Sequence, residues 1–155
     1  MLIRKQSIAT LGALLLSLTQ AHATASLSCT ADDRSANIEV GGVISSGLGG
    51  RISNFKAEAR LKKPGLADDL KTVSYDGEHL VHSWLNGKEL RLLVYRERMA
   101  GKRHGYVQIT IETTLKPKSD GAYRGRYEVE VYDLPEGASE TTPVKWRGTI
   151  ACSAE

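Results

Sequence analysis

The stretch "GYVQITIETTL" (residues 105–115) decides the fold. Val107, Ile109, Ile111, Thr113 and Leu115 alternate with Gln108, Thr110, Glu112 and Thr114. A period of two places apolar side chains on one face of an extended chain and polar ones on the other. "RYEVEVYDL" (126–134) repeats the pattern, with Tyr127, Val129 and Val131 against Arg126, Glu128 and Glu130. So do "RISNFKAEARL" (51–61) and "VKWRGTIAC" (144–152). Antiparallel strands wetted on one side read this way. "SANIEVGGVI" (35–44) is a weaker version, with Ile38, Val40 and Ile44 on one parity and a glycine bulge expected at Gly41-Gly42. No segment repeats convincingly at 3.6 residues.

The connections between these runs carry turn chemistry. Asn86-Gly87 separates "HLVHSWL" from "KELRLLVYRER", and Asn-Gly between strand-like runs predicts a type I′ hairpin. "KPGLADD", "SYDGEH", "SDGAY" and "LPEGASETTP" supply further turns and loops. Strands are expected near 27–31, 36–44, 51–62, 70–75, 79–85, 88–97, 105–115, 123–134 and 144–152, about eight if one fails. The expected fold is all-β: an antiparallel β-sandwich or small closed barrel.

The N-terminus reads as a secretory signal peptide. Arg4 and Lys5 precede an apolar run from Ile8 to Leu18, followed by Ala21-His22-Ala23 and Ala23-Thr24-Ala25, two A-x-A cleavage patterns. The run is about 11 residues, too short for a bilayer core that needs about 20. The expected organisation is a leader over residues 1–25, cut after Ala23 or Ala25, and a single β domain over 26–155. The full chain has 21 Lys and Arg against 18 Asp and Glu; losing Arg4 and Lys5 leaves 19 against 18. Near-neutrality gives no global argument for nucleic acid or an anionic membrane. The absence of N-x-[ST] acceptors suits a bacterial periplasmic or secreted protein.

Two cysteines are present, Cys29 and Cys152. In an oxidising compartment they are expected to pair, fastening the first strand to the last. Lipidation of Cys29 is the chief competitor, but Ser26 stands where a lipobox needs an aliphatic residue, and it would leave Cys152 alone.

No stretch carries a catalytic signature. His79-x-x-His82 invites a metal reading, yet residues three apart on a strand face opposite ways and no further cluster completes a site. "VISSGLGGR" (43–51) matches no phosphate-binding glycine pattern. Ser45 and Ser46 lack a nucleophile-elbow setting. Asp32-Asp33, Asp68-Asp69 and Glu128/Glu130 are paired carboxylates that read as solvated surface. No metal, cofactor or nucleic-acid partner is expected.

The main surface anomaly is basic. Arg91, Arg96, Arg98, Lys102, Arg103 and His104 gather at one hairpin end with Glu97 alone as a local counter-charge, while "LPEGASE" carries Glu136 and Glu140. Arg96, Arg98, Lys102, Arg103 and His104 are therefore the candidate binding residues, for an anionic envelope component or an acidic protein face. The bland explanation is a set of edge charges that discourage sheet-to-sheet association. No aromatic platform stands out at that tip.

"KSDGAY", through Ser119, Gly121 and Tyr123, is similar to the S-G-x-x-Y loop of bacterial periplasmic lysozyme inhibitors, themselves small exported β proteins. Here the glycine comes one place late and the likeness covers five residues. It implies an enzyme inhibitor, although a cationic lysozyme would favour an acidic face. The leading expectation is a non-catalytic exported binding domain. A barrel carrying a small apolar ligand, or a hydrolase without a recognisable motif, would also fit the strand pattern.

Overall fold

The computed structural model describes residues 24–45, 51–99 and 103–155. Nine antiparallel strands form one continuous, nearly closed barrel-like sheet. They are β1 (Thr24–Asp32), β2 (Ala36–Ser45), β3 (Arg51–Leu61), β4 (Thr72–Asp76), β5 (Leu80–Asn86), β6 (Glu89–Glu97), β7 (Gly105–Leu115), β8 (Ala122–Asp133) and β9 (Val144–Ala154). One helical turn, α1 (Asp68–Lys71), precedes β4, and a 3₁₀ turn (Gly77–His79) follows it.

The strand order is β4-β3-β2-β1-β9-β8-β7-β6-β5. The chain thus forms two up-and-down meanders, β1–β4 and β5–β9, welded where β1 pairs with β9. Of the two architectures the alternation allows, the barrel-like sheet is the one formed. The sheet curls until β4 meets β6, where Arg96 donates to the Ser74 carbonyl, and Tyr75 Oη of β4 reaches across the interior to donate to the Val107 carbonyl of β7 at 3.4 Å.

All nine expected strands are present, with altered ends. Residues 70 and 71 belong to α1, and His79 belongs to the 3₁₀ turn. The inward parity holds throughout. Val107, Ile109 and Ile111 of β7 and Tyr127, Val129 and Val131 of β8 are each at most 2% exposed. Burying a side chain of this kind stabilises by about 1.5–3 kcal/mol. Val144 departs from the pattern at 51% exposed, because it opens β9 at the barrel rim.

Two turn details differ from expectation. Asn86 pairs with Glu89, so the hairpin loop is Gly87-Lys88. Positive φ falls on Gly87 (57°) and not on Asn86, the pattern of a type II′ turn. The bulge lies opposite Gly42, where the β2–β3 register shifts between Gly41 and Val43. The extra residue is on β3, and Asn54 takes φ 50° there. A Cβ at Gly42 on the facing strand would stand 2.8 Å from Ile52 Cγ2, so a larger residue there would force the Ile52 side chain to shift.

Cys29 and Cys152 are direct cross-strand partners, with Cα atoms 4.0 Å apart, and form a disulfide. The first and last strands therefore lie side by side. Among the described residues no helix is long and apolar enough to cross a membrane.

Candidate binding surface at the barrel rim

β6 and β7 are joined by a hairpin whose described ends, through Arg98 and Arg103, lie next to α1 and the β8–β9 loop. Its base is closed by Arg98 N–H donating to the Gly105 carbonyl at 2.7 Å. The Arg98 side chain continues the inward parity of Leu92 and Val94 and is only 7% exposed. A guanidinium so placed needs partners. It donates through Nε to Asp69 Oδ2 at 2.9 Å, through Nη2 to Asp133 Oδ1 at 2.9 Å, and through Nη1 to the Arg103 carbonyl at 3.1 Å. Burial works against its charge, but the Asp133 and Asp69 carboxylates outweigh burial and raise its pKa. Arg98 is thus a strut joining α1, the hairpin and the end of β8.

The expected basic cluster therefore divides. Arg98 is held in the structure, and its counter-charges come from positions 29 and 35 residues away, not from Glu97. Glu97 instead accepts from Tyr95 Oη at 2.8 Å. Arg96 is half-buried against β4 through Ser74. Arg103 and His104 are exposed at the tip. Among the described residues, the Arg103 guanidinium has a long contact to Glu136, 3.9 Å, and Glu136 is itself 95% exposed. Lys102 lies outside the described residues. Beside the tip, Leu66, Arg98, Arg103, Asp133, Thr141 and Thr142 help to line an open cleft of about 610 Å³.

An aromatic row adjoins this tip, contrary to the expectation of none. Tyr95, Tyr106 and Tyr132 sit on the outer faces of β6, β7 and β8, with centroids 5.2 and 5.5 Å apart. His104 closes the row, 5.1 Å from Tyr132 and 6.0 Å from Tyr106. The rings of Tyr106 and Tyr132 are parallel to within 6°. Rings stacked on one another present edges to a flat ligand, so this is a consolidating ladder, with His104 at its tip-side end. Tyr106 Oη donates to Glu130 at 2.5 Å, and Lys145 also binds Glu130 at 2.6 Å. The Glu130 contact, aided by burial, pushes the Tyr106 hydroxyl up to about 12. Carboxylates between the rings make the ladder a poor surface for nucleic acid.

The remaining candidate residues sit apart. His79 Nδ1 lies 2.7 Å from Asp76 Oδ1 within the 3₁₀ turn, while His82 stands on the exposed edge strand. The two histidines do not converge. Asp76, Glu78 and His79 place ligand atoms within 4.8 Å of one another, on the surface. Each paired carboxylate has a partner: Asp32 with Lys62, Asp33 with Tyr127, Asp68 with Lys71, Asp69 with Arg98, Glu128 with Arg147 and Glu130 with Lys145. Ser46 and most of "VISSGLGGR" lie outside the described residues. In "KSDGAY", Ser119 Oγ donates within its own turn, to the Lys116 and Ala122 carbonyls, and Tyr123 is 6% exposed in the core. The barrel interior is filled by side chains including Phe55, Tyr75, Tyr123, Tyr127 and Trp146.

Comparison with known proteins finds no family model, no curated protein and no solved structure that matches this chain.

Proposed function

We propose that this chain is an exported, non-catalytic binding domain of the cell envelope that docks an anionic partner through the β6–β7 tip. One observation carries the reading: Arg103 and His104 are exposed on a hairpin whose base is locked by the buried Arg98. Ordering charges before the partner arrives lowers the entropic cost of binding. Lys102, adjacent in sequence, adds a third basic group. Export is supported by the leader pattern and fits the disulfide, which persists in oxidising compartments. Ala25 packs against the core from β1, which favours cleavage after Ala23 over cleavage after Ala25.

The test is binding of a phosphate-bearing envelope glycan and, separately, of vesicles rich in anionic phospholipid. Lys102→Ser/Arg103→Ser/His104→Ser should abolish binding and keep the wild-type Tm. Lys56→Ser/Arg60→Ser removes two dispersed charges and should matter little. Exposed charges are screened over about 8 Å at physiological ionic strength, so binding should weaken steeply with salt. Binding that survives the triple change, or ignores salt, would reject the reading.

A further inference from the structure

The open cleft of about 610 Å³ at the barrel rim lies between the Arg98 strut and the β8–β9 loop. Its size falls within the roughly 300–1,000 Å³ of small-ligand sites, and the mouth of a β-barrel is a common place for one. Its lining mixes apolar and polar groups. Val144 supplies an apolar wall and is 51% exposed there. Thr141 and Thr142 add two hydroxyls, and neither has a hydrogen-bond partner among the described residues. Asp133 gives Oδ1 to Arg98, while its Oδ2 accepts from no donor among the described residues. Of the two arginines at the cleft, Arg98 is committed to Asp69, Asp133 and the Arg103 carbonyl. The last of these bonds holds the backbone that carries Arg103. The Arg103 guanidinium itself has the long, exposed contact to Glu136, a pairing worth little.

We propose that this cleft binds a saccharide unit carrying one anionic group, with its phosphate or carboxylate on Arg103 and its ring hydroxyls on Asp133, Thr141 and Thr142. The proposal rests on the docking role of the tip and names the chemistry of the partner. An ionised carboxylate can only accept a hydrogen bond and a guanidinium can only donate one, whereas a hydroxyl does both. The ligand must therefore bring donors to Asp133 and an oxygen acceptor to Arg103. A hydroxyl-rich ring with one anion meets both demands. Arg103 can take that anion through two parallel N–H groups.

Other ligands fit less well. A bare anion meets the Asp133 charge and offers it no donors in return. A nucleotide base gains most from stacking on an aromatic ring, and no aromatic side chain lines the cleft among the described residues. The C–H face of a sugar ring needs only a small apolar contact, which Val144 offers. A phospholipid surface is broad and flat, and a concave site does not match it. The cleft therefore selects a glycan over a lipid as the anionic partner of the tip.

The test titrates the disulfide-intact protein, followed by NMR chemical shifts, with glucose 6-phosphate, mannose 6-phosphate and glucuronate. The parent hexoses and inorganic phosphate serve as the separate halves of these probes. At least one anionic sugar should bind about tenfold more tightly than either of its halves, the effect of adding one charged hydrogen-bonding group. Arg103→Ser should bring that sugar down to the affinity of its parent hexose. Thr141→Val/Thr142→Val should weaken it about tenfold at an unchanged Tm. Asp133→Asn should weaken it too; because that change also loosens Arg98, the threonine pair decides the matter if the Tm falls. The proposal is overturned if no anionic sugar exceeds its halves, or if the threonine change leaves the affinity as it was. Glycan binding that is lost in Lys102→Ser/Arg103→Ser/His104→Ser but survives Thr141→Val/Thr142→Val keeps the docking tip and overturns the cleft. Binding to anionic vesicles alone does the same. Glycan binding that survives the triple change overturns both.

Discussion

The hydroxyl of Tyr127 donates to Asp33 Oδ2 at 2.7 Å, tying the middle of β8 to the β1–β2 turn across 94 positions of sequence. Tyr127 is fully buried. Asp33 uses its other oxygen to accept from the N–H groups of Ser35, at 2.7 Å, and Ala36, at 3.0 Å. One carboxylate therefore shapes a turn and pins the barrel wall across from it. Tyr127→Phe should cost about 1.5–3 kcal/mol, the range for a hydrogen bond to a charged group, read as a lower midpoint in denaturant. The same carboxylate sets an acid dependence. Burial opposes the Asp33 charge, but hydrogen bonds from Tyr127, Ser35 and Ala36, helped by Lys62, outweigh it and hold its pKa below the ordinary 3.8. A lowered folded pKa gives stability that is present above the unfolded value and lost as pH falls through the folded one. The Tm of the wild type should fall steeply below about pH 4. Asp33→Asn should start lower and show a shallower acid limb.

Gly148 pairs with Tyr127 and lies under its ring. A Cβ at this position would stand 2.3 Å from Asp33 Oδ2 and 2.4 Å from Tyr127 Cε1. Gly148→Ala should therefore displace the ring and cost about 1–3 kcal/mol or more, as overpacking usually does. Gly148→Ala in a Tyr127→Leu background should cost less, because the clashing ring atoms are gone. Equal costs in both backgrounds would assign the clash to Asp33 Oδ2, which remains when the ring is gone.

The disulfide joins residues separated by 123 positions. In the chain-entropy description a loop of that length is worth about 4–5 kcal/mol, a large share of the roughly 5–15 kcal/mol that holds a domain of this size. Cys29→Ser/Cys152→Ser should lower the Tm by roughly 10–20 °C. The intact mass of the native protein should be about two protons below that of the reduced form.

How much of this was legible in the sequence follows from the range of each interaction. Alternation is local, so the inward faces of β3, β7, β8 and β9 could be read directly. The cysteines supplied one long-range constraint, and it joins β1 to β9 as the sheet order requires. The choice between sandwich and barrel depends on how far the sheet curls, and no short segment encodes that. Arg98 misled because its partners, Asp69 and Asp133, are close only after α1 packs beside the rim. The tyrosine ladder did leave a signal. Tyr106 and Tyr132 fall on the polar parity shared with Gln108 and Glu130, and aromatic residues at that parity on adjacent strands can stack. At the Asn-Gly turn, the motif located the hairpin correctly, but pairing of Asn86 with Glu89 moved its centre by one residue.

The ladder should respond to alkali. Tyr106 is pushed up to about 12, first by its hydrogen bond to Glu130 and then by burial. A raised folded pKa gives stability that is intact below the ordinary value of 10 and lost as pH rises toward about 12. Tyrosinate absorbance should show several late-ionising tyrosines, Tyr75, Tyr95 and Tyr127 being raised as well, and one fewer in Tyr106→Phe. The variant should also lose less Tm than the wild type between about pH 10 and pH 12.

Strut and tip at the rim should separate cleanly. Arg98 is 7% exposed and faces Asp69 and Asp133, which are 33% and 31% exposed. Arg98→Met keeps the length of the side chain and removes the charge, leaving two half-buried carboxylates without their guanidinium. Breaking a fully buried pair costs about 3–5 kcal/mol, and water reaching these aspartates reduces that to about 2–4 kcal/mol. Arg98→Met should therefore lower the Tm markedly, and adding Asp69→Asn and Asp133→Asn should recover part of the loss. Arg103→Ser and His104→Ser should leave the stability within about 0.5 kcal/mol of wild type, as for surface changes without buried partners. If Arg98→Met were as silent as the tip changes, the hairpin would not depend on its buried base, and the ordered presentation of Arg103 and His104 would need another cause.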